Sequence, residues 1–325
     1  MDRCDFLPVS AEEMHERGWW WYDALVVGGD AYVDHPSFGT AVISRVLEAE
    51  GLRVAVLAQP DWHDAEAFRA MGRPRLGVFI GAGNLDSMVA HYTAAKRRRS
   101  EDFYSPGKRT GCRPDRAAIV YCNRAREAFG PDVPIILGSL EASLRRFAHY
   151  DYWDDSVRRA ILFDAPADLL VYGMGEAATI EIAHRLKKKQ SVHTMTDIPG
   201  TGYITRDPSV CKFDHITLPS FEDVRDDKRL YAEATRTEYA EHDPVRGRAM
   251  IQPCEGRYLV ITPPAMPLDT KELDRVADLP YTREWHPMYE PLGGVPAIEE
   301  VRFSVIHNRG CFGGCNFCAI QLHQG

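Results

Sequence analysis

Three cysteines near one end of the chain, Cys311, Cys315 and Cys318, have the type and spacing to share one metal centre. They stand at C-x3-C-x2-C within Asn308-Arg309-Gly310-Cys311-Phe312-Gly313-Gly314-Cys315-Asn316-Phe317-Cys318. Thiolates spaced this closely can converge on a soft metal. A cubane iron–sulfur cluster takes loop ligands, because its irons sit at the corners of a cube and not along a helix face. Gly313 and Gly314 let the backbone curl and turn N–H groups toward sulfur. Three ligands for four irons leave one iron open, as catalytic metal sites keep an open position. The competing reading is zinc held by the three thiols with His323 or His307. Zinc knuckles and ribbons usually show paired C-x2-C spacings, and only one such pair is present here. Three ordinary core cysteines are the bland reading, and two glycines beside so tight a spacing argue against it.

The segment CFGGCNFC resembles the radical S-adenosylmethionine (SAM) motif, C-x3-C-x-aromatic-C, with Phe317 as the aromatic. The flanking VRFSVIHNRG and CAIQLHQG resemble the bacterial YgiQ family of radical SAM proteins, and the resemblance extends over essentially the whole chain. It implies a 4Fe-4S cluster on Cys311, Cys315 and Cys318, with SAM chelating the open iron through its amino and carboxylate groups. It further implies reductive cleavage of SAM to a 5′-deoxyadenosyl radical that takes a hydrogen atom from a substrate the sequence does not identify. Phe317 would pack beside the SAM adenine, and a flavodoxin or ferredoxin would supply the electron. No catalytic residue is assigned.

The elements that must position this loop are legible as a βα pattern. DALVVGG (23–29), RVAVLAQ (53–59), RLGVFIGAG (75–83), PIILGS (134–139) and ADLLVYG (167–173) read as buried parallel strands. Helices are expected between Val42 and Ala49, stopping at Gly51, from Pro114 to Phe129, and after Gly175. Five such units predict an α/β fold, a doubly wound parallel sheet over residues 1–190. Residues 191–296 read as a helical and proline-rich connector, with one long charged helix around 220–242. Residues 297–325 read as the start of a radical SAM domain, its first barrel strand being VRFSVIHNRG. One strand cannot close a barrel, and the superfamily's glycine-rich SAM-binding segment is absent. The chain is therefore expected to be the N-terminal portion of a longer protein and an incomplete catalyst alone.

Ligands of doubly wound sheets sit beyond the carboxyl ends of the strands, which here carry Gly28-Gly29-Asp30, Gly81-Ala82-Gly83-Asn84, Gly138-Ser139 and Gly173-Met174-Gly175-Glu176. The last two resemble strand ends of cobalamin-binding domains. The signature D-x-H-x-x-G is not matched, however, because Asp34 and His35 are adjacent and Gly39 lies four residues on. Cobalamin is thus a cofactor the resemblance suggests and the motif does not support. Lys96-Arg97-Arg98-Arg99 and Lys108-Arg109, with Arg113 and Arg116, form a basic stretch that reads as a solvated loop, with nucleic acid as the weaker alternative. Trp19-Trp20-Trp21-Tyr22 reads as packing of an N-terminal helix. The stretch Arg145-Arg146 to Asp155 reads as a cover for the sheet edge or an interdomain contact.

Composition is that of a soluble globular protein: 45% hydrophobic and 26% charged, with 39 Lys and Arg against 47 Asp and Glu for a net charge of −8. That balance gives no general reason to expect nucleic acid or anionic membrane as a partner. No apolar run approaches membrane-spanning length. Cys4, Cys112, Cys122, Cys211 and Cys254 are scattered without a disulfide framework, which suits a reducing cytoplasm.

Overall fold

The computed structural model describes residues 5–306, 309–311, 313, 315 and 318–324. The chain divides into two compact units, Met1–Glu141 with Leu268–Asn308, and Ala142–Pro267 with Arg309–Gly325. These cuts fall after 141, 267 and 308.

The first unit holds four strands: β1 (Ala24–Gly28), β2 (Val54–Ala58), β3 (Gly77–Gly81) and β4 (Ile135–Gly138). All pair in parallel, in the order β2-β1-β3-β4. The register aligns Gly28 with Gly81 and Gly81 with Gly138, so the glycine-rich ends share one edge. Every residue of β1 is buried, as a strand covered on both faces requires. The helix Gly39–Ala49 ends where expected. Gly51, at φ +74°, donates to Glu48 O (2.9 Å) while Leu52 donates to Leu47 O (3.4 Å), the paired bonds of a Schellman stop.

The expected helix from Pro114 starts three residues later, at Ala117. Arg116 adopts a left-handed φ of +51°, and Asp115 is taken by His91 Nδ1 (2.6 Å) and the Tyr92 hydroxyl (2.7 Å). The buried Glu141 carboxylate then serves two helix starts, accepting from Ala118 N (3.1 Å) and Ser87 N (2.9 Å). A carboxylate at helix N-termini satisfies orphan N–H groups and meets the positive end of each dipole.

Arg113, placed by sequence in the basic loop, is 1% exposed. Its guanidinium donates to Asp30 (2.6 Å) and to both oxygens of Asp102 (3.1 and 2.9 Å). Asp30 also accepts from Asn84 N (2.6 Å), and Asp102 from Ser105 Oγ (2.8 Å), which in turn accepts from Gln59 (2.7 Å). Burial raises the Asp30 pKa, against the pull of the Arg113 charge. Lys96 to Arg99 remain on the surface as expected.

The second unit contains the hairpin β5 (His149–Asp151) and β6 (Ser156–Arg158), the strand β7 (Leu169–Val171), and four strands the sequence reading did not identify. These are β8 (Thr201–Thr205), β9 (His215–Thr217), β10 (Ala249–Cys254) and β11 (Arg257–Ile261). The order is β7-β8-β11-β10-β9, antiparallel except for β10 with β9. The expected long helix is two, Phe221–Asp226 and Lys228–Ala240. Asp227 leaves the helical region (φ −126°, ψ 112°) and caps the second helix through Arg229 N (2.7 Å). Phe221, Val224 and Ala234 pack with Ala148 and Cys254 in one apolar cluster.

Residues 301–306 form no strand. Val301 and Arg302 instead donate to Ile298 O, and Ser304 to Val301 O, in successive turns. A strand needs a neighbour to pair with, and none of the described strands pairs here. Phe303 and Val305 are 94% and 83% exposed. Among the described residues no helix is long and apolar enough to cross a membrane.

Removing one partner of a buried charge network leaves the others uncompensated. Arg113→Met is therefore expected to cost about 3–5 kcal/mol in urea unfolding. Arg97→Met, on the exposed loop, is expected to stay within about 0.5 kcal/mol of the parent.

Candidate functional site

The cysteine loop enters through Gly310, whose φ of +80° is left-handed. Cys311 and Cys315 are exposed and Cys318 is half-buried; the described cysteines form no disulfide with one another. Gly313 N donates to Cys311 Sγ (3.4 Å). A side chain on Gly313 would start 3.4 Å from Cys311 Sγ and 3.7 Å from Cys315 Sγ. Two sulfurs thus face one small space that glycine keeps clear, with a backbone N–H turned toward one of them. Cys318 N donates to Cys315 O (3.0 Å), closing the turn that carries the third thiol. Soft thiolate donors around a glycine cradle fit an iron–sulfur cluster or zinc. Among the described residues no three donors are yet gathered as a metal set, and His323 is not brought into one. Phe317 and His307 lie outside the described residues.

Around this loop the second unit concentrates buried polar groups. Arg146, 3% exposed, donates from Nη1 to Ser143 O and to Leu322 O (2.7 Å each). Its guanidinium lies 4.7 Å from the centre of the Tyr172 ring. Tyr172 is fixed in turn by its hydroxyl, which donates to Thr262 O (2.6 Å). The Arg146 pKa is lowered by burial, with Tyr172 and Glu238 pulling the other way. Loss of hydration pushes the Glu238 carboxyl up to about 8, against the Arg146 charge. Burial, helped by that same charge, brings His323 down to about 4. Arg309 forms an ion pair with Glu176, the first residue of the helix Glu176–Lys187.

At the aligned glycine edge of the first unit, the space beside the backbone is filled by protein. A side chain at Gly28 would start 2.7 Å from Thr40 Oγ1, and one at Gly29 would start 1.9 Å from Ala82 O. At Gly81 it would start 3.1 Å from Ser139 Cβ. Close packing accounts for these glycines. His35 is fully buried; its Nδ1 accepts from Ser37 N (3.1 Å), so the proton sits on Nε2. Burial lowers its pKa. Neither ring nitrogen is presented as a lone pair to an open edge, in keeping with the mismatch to D-x-H-x-x-G. Asp34 is held by Arg45 Nε (3.1 Å) and Nη2 (2.5 Å).

The profile of the radical SAM N-terminal family matches residues 6–304. The chain belongs to that family. UPF0313 proteins of Clostridium botulinum (strain 657) and Clostridium perfringens (strain SM101) are each 53% identical to it over all 325 residues. It covers 50% and 49% of those proteins, so the chain spans about half the length of the curated relatives it matches. Among solved structures, the radical SAM methyltransferase TsrM of Kitasatospora setae, with tryptophan substrate and a SAM analog bound, is 21% identical. That match covers 55% of this chain and 28% of TsrM with a TM-score of 0.35. A TsrM structure with cobalamin and a [4Fe-4S] cluster bound gives 19%, 55%, 26% and 0.34. Likenesses this slight carry no functional argument.

Sequence reasoning found the thiols of this radical SAM N-terminal chain and missed what surrounds them. Arg146 and Glu176 were visible only as members of a charged stretch and a strand end. A charged residue next to an apolar one, as in Arg146-Phe147-Ala148, was the available signal. The pH dependence of stability reports on this cluster. His323 and His149, both lowered to about 4, remain neutral in the fold while the unfolded chain gains protons below about 6.5, so stability is lost as pH falls through that window. Glu238 acts oppositely. Between its ordinary value of 4.5 and about 8 the fold keeps a proton the unfolded chain has released, so its contribution fades as pH rises. Above pH 6.5 the histidines are neutral in both states, and Glu238→Gln is expected to flatten the decline between pH 6.5 and 8 in urea-unfolding series.

Proposed function

We propose that this chain carries the cluster ligands of a radical SAM enzyme of the YgiQ type, with Cys311, Cys315 and Cys318 holding a 4Fe-4S cluster. The observation that carries the reading is the pair of thiols, Cys311 and Cys315, flanking the Gly313 cradle in a chain of the radical SAM N-terminal family. A cluster held by Cys311, Cys315 and Cys318 would supply the one-electron reduction that splits SAM into methionine and a 5′-deoxyadenosyl radical. The chain's own groups hold and tune it. Thiolates supply the negative ligands, and the Gly313 N–H lies toward Cys311 Sγ, where it offsets sulfur charge. Phe317 is assigned to the SAM adenine. The electron comes from a flavodoxin- or ferredoxin-type donor, and a reducing cytoplasm protects the thiols. Cobalamin, if the protein takes it, is bound without His35 as a lower ligand.

Anaerobic reconstitution with ferrous iron and sulfide tests the reading. The expected product is brown and holds about four irons per chain. Replacing Cys311, Cys315 or Cys318 by Ala is expected to abolish it, while Cys211→Ala and Cys254→Ala leave it intact. Stoichiometric zinc without sulfide would overturn the assignment in favour of a structural Cys3His site.

A further inference from the structure

The cysteine loop is gripped at both ends from the carboxyl end of β7. On one side Arg309, two residues before Cys311, forms its ion pair with Glu176, whose side chain is 5% exposed. Glu176 follows β7 through Gly173-Met174-Gly175 and opens a helix, where its carboxylate also meets the positive end of the dipole. On the other side Leu322, four residues after Cys318, gives its carbonyl to the buried Arg146 guanidinium (2.7 Å). Arg146 is seated over Tyr172, the residue that follows β7. Between the two grips Gly173, at φ +71°, comes so close to the returning loop that a side chain there would start 3.3 Å from His323 O. Gly173 and Glu176 from the end of β7, with Arg146 seated over Tyr172, therefore touch the flanks of the cysteine triplet, and two of the thiols between the flanks stay exposed.

We infer that Glu176 and Arg146 are positioning residues for the cluster ligands, fixing the two ends of the loop so that its three sulfurs are presented at one spacing. The inference rests on the iron–sulfur reading above. Its physical basis is the cost of the alternative. Among the described residues no carboxylate accepts a hydrogen bond from the buried Arg146 guanidinium; carbonyls, the His242 ring and the Tyr172 face stand in. Moving Leu322 away would strip a buried charge of one of its few acceptors, and a buried donor left unmade is expensive. A nearly buried Glu176 without Arg309 would likewise keep an uncompensated charge. The loop ends are thus held by contacts that are costly to break. Outer groups that orient ligands in this way typically alter metal affinity by tenfold or more.

The test compares cluster retention in anaerobically reconstituted protein carrying Glu176→Gln, Arg146→Met or Arg309→Ala. The readouts are the rate of iron loss to a chelator, the visible spectrum and the reduction midpoint. Each variant is expected to lose iron about tenfold faster than the parent and to shift the midpoint. Glu176→Asp and Arg146→Lys are expected to recover part of the effect. Glu255→Gln, which breaks the exposed pair with Arg159, is expected to behave as the parent. Arg309→Ala lies on the loop and not in the core, so it keeps the test valid should Arg146→Met fail to fold. Exchanging the pair, Glu176→Arg with Arg309→Glu, is expected to retain iron better than either single change. Parent-like loss rates in Arg309→Ala and Glu176→Gln, or an exchanged pair no better than the singles, would overturn the inference and leave the cluster reading standing. A parent protein that takes up no iron and sulfide would instead end the cluster reading itself.

Discussion

A single guanidinium holds together the strand ends of the first unit. Arg113 reaches Asp30, just past β1, and Asp102, in the segment between β3 and β4, and it also approaches Ala82 O at 3.5 Å. Ala82 O is the same atom against which Gly29 closes its backbone. The carboxyl edge of the sheet is thus built on a buried charge with two acids attached, and the glycines there serve tight packing around it. The two acids in so dry a place are supported by further donors: Asn84 N on Asp30 Oδ2, and Tyr104 N and Ser105 Oγ on the two oxygens of Asp102. Such networks hold a fold to one arrangement when fully satisfied and are damaging when broken in part.

The sequence made the parallel strands easy to see because burial on both faces writes itself as continuous runs such as ALVVG and GVFIG. The helix stop at Gly51 was equally plain, since only its backbone conformation explains a glycine there. Charge was harder to read. Arg113 sits among seven other basic residues, and nothing in its neighbours marks it as the one turned inward. The antiparallel strands β8 to β11 were hidden in the second unit for a different reason. Ala249–Cys254 contains Pro253, which weakens the signal of its tight hairpin with Arg257–Ile261, and Thr201–Thr205 contains Gly202 and forms because Arg257–Ile261, far along the chain, is there to pair with it. Local propensity cannot report pairing of that range.

The same division runs through the candidate site. Residue type and spacing are local properties, so Cys311, Cys315 and Cys318 stand out from the chain alone as candidate ligands. The environment that carries them is assembled from β7, from the end of the helix Ser139–Leu144, and from a charged helix whose Glu238 reads as ordinary surface. The strand expected at 301–306 shows the converse. An alternating apolar pattern is a necessary condition for a strand, yet hydrogen bonds to a neighbour are what make one, and here the backbone turns on itself instead.

The two contacts that secure the cysteine loop span 133 and 176 residues of chain. Closure over such distances is slow to nucleate, because the chain must surrender entropy before either contact forms. During synthesis Glu176 and Arg146 leave the ribosome long before the thiols do. The acceptor surface is therefore available by the time the loop arrives, and the loop settles onto structure that already exists.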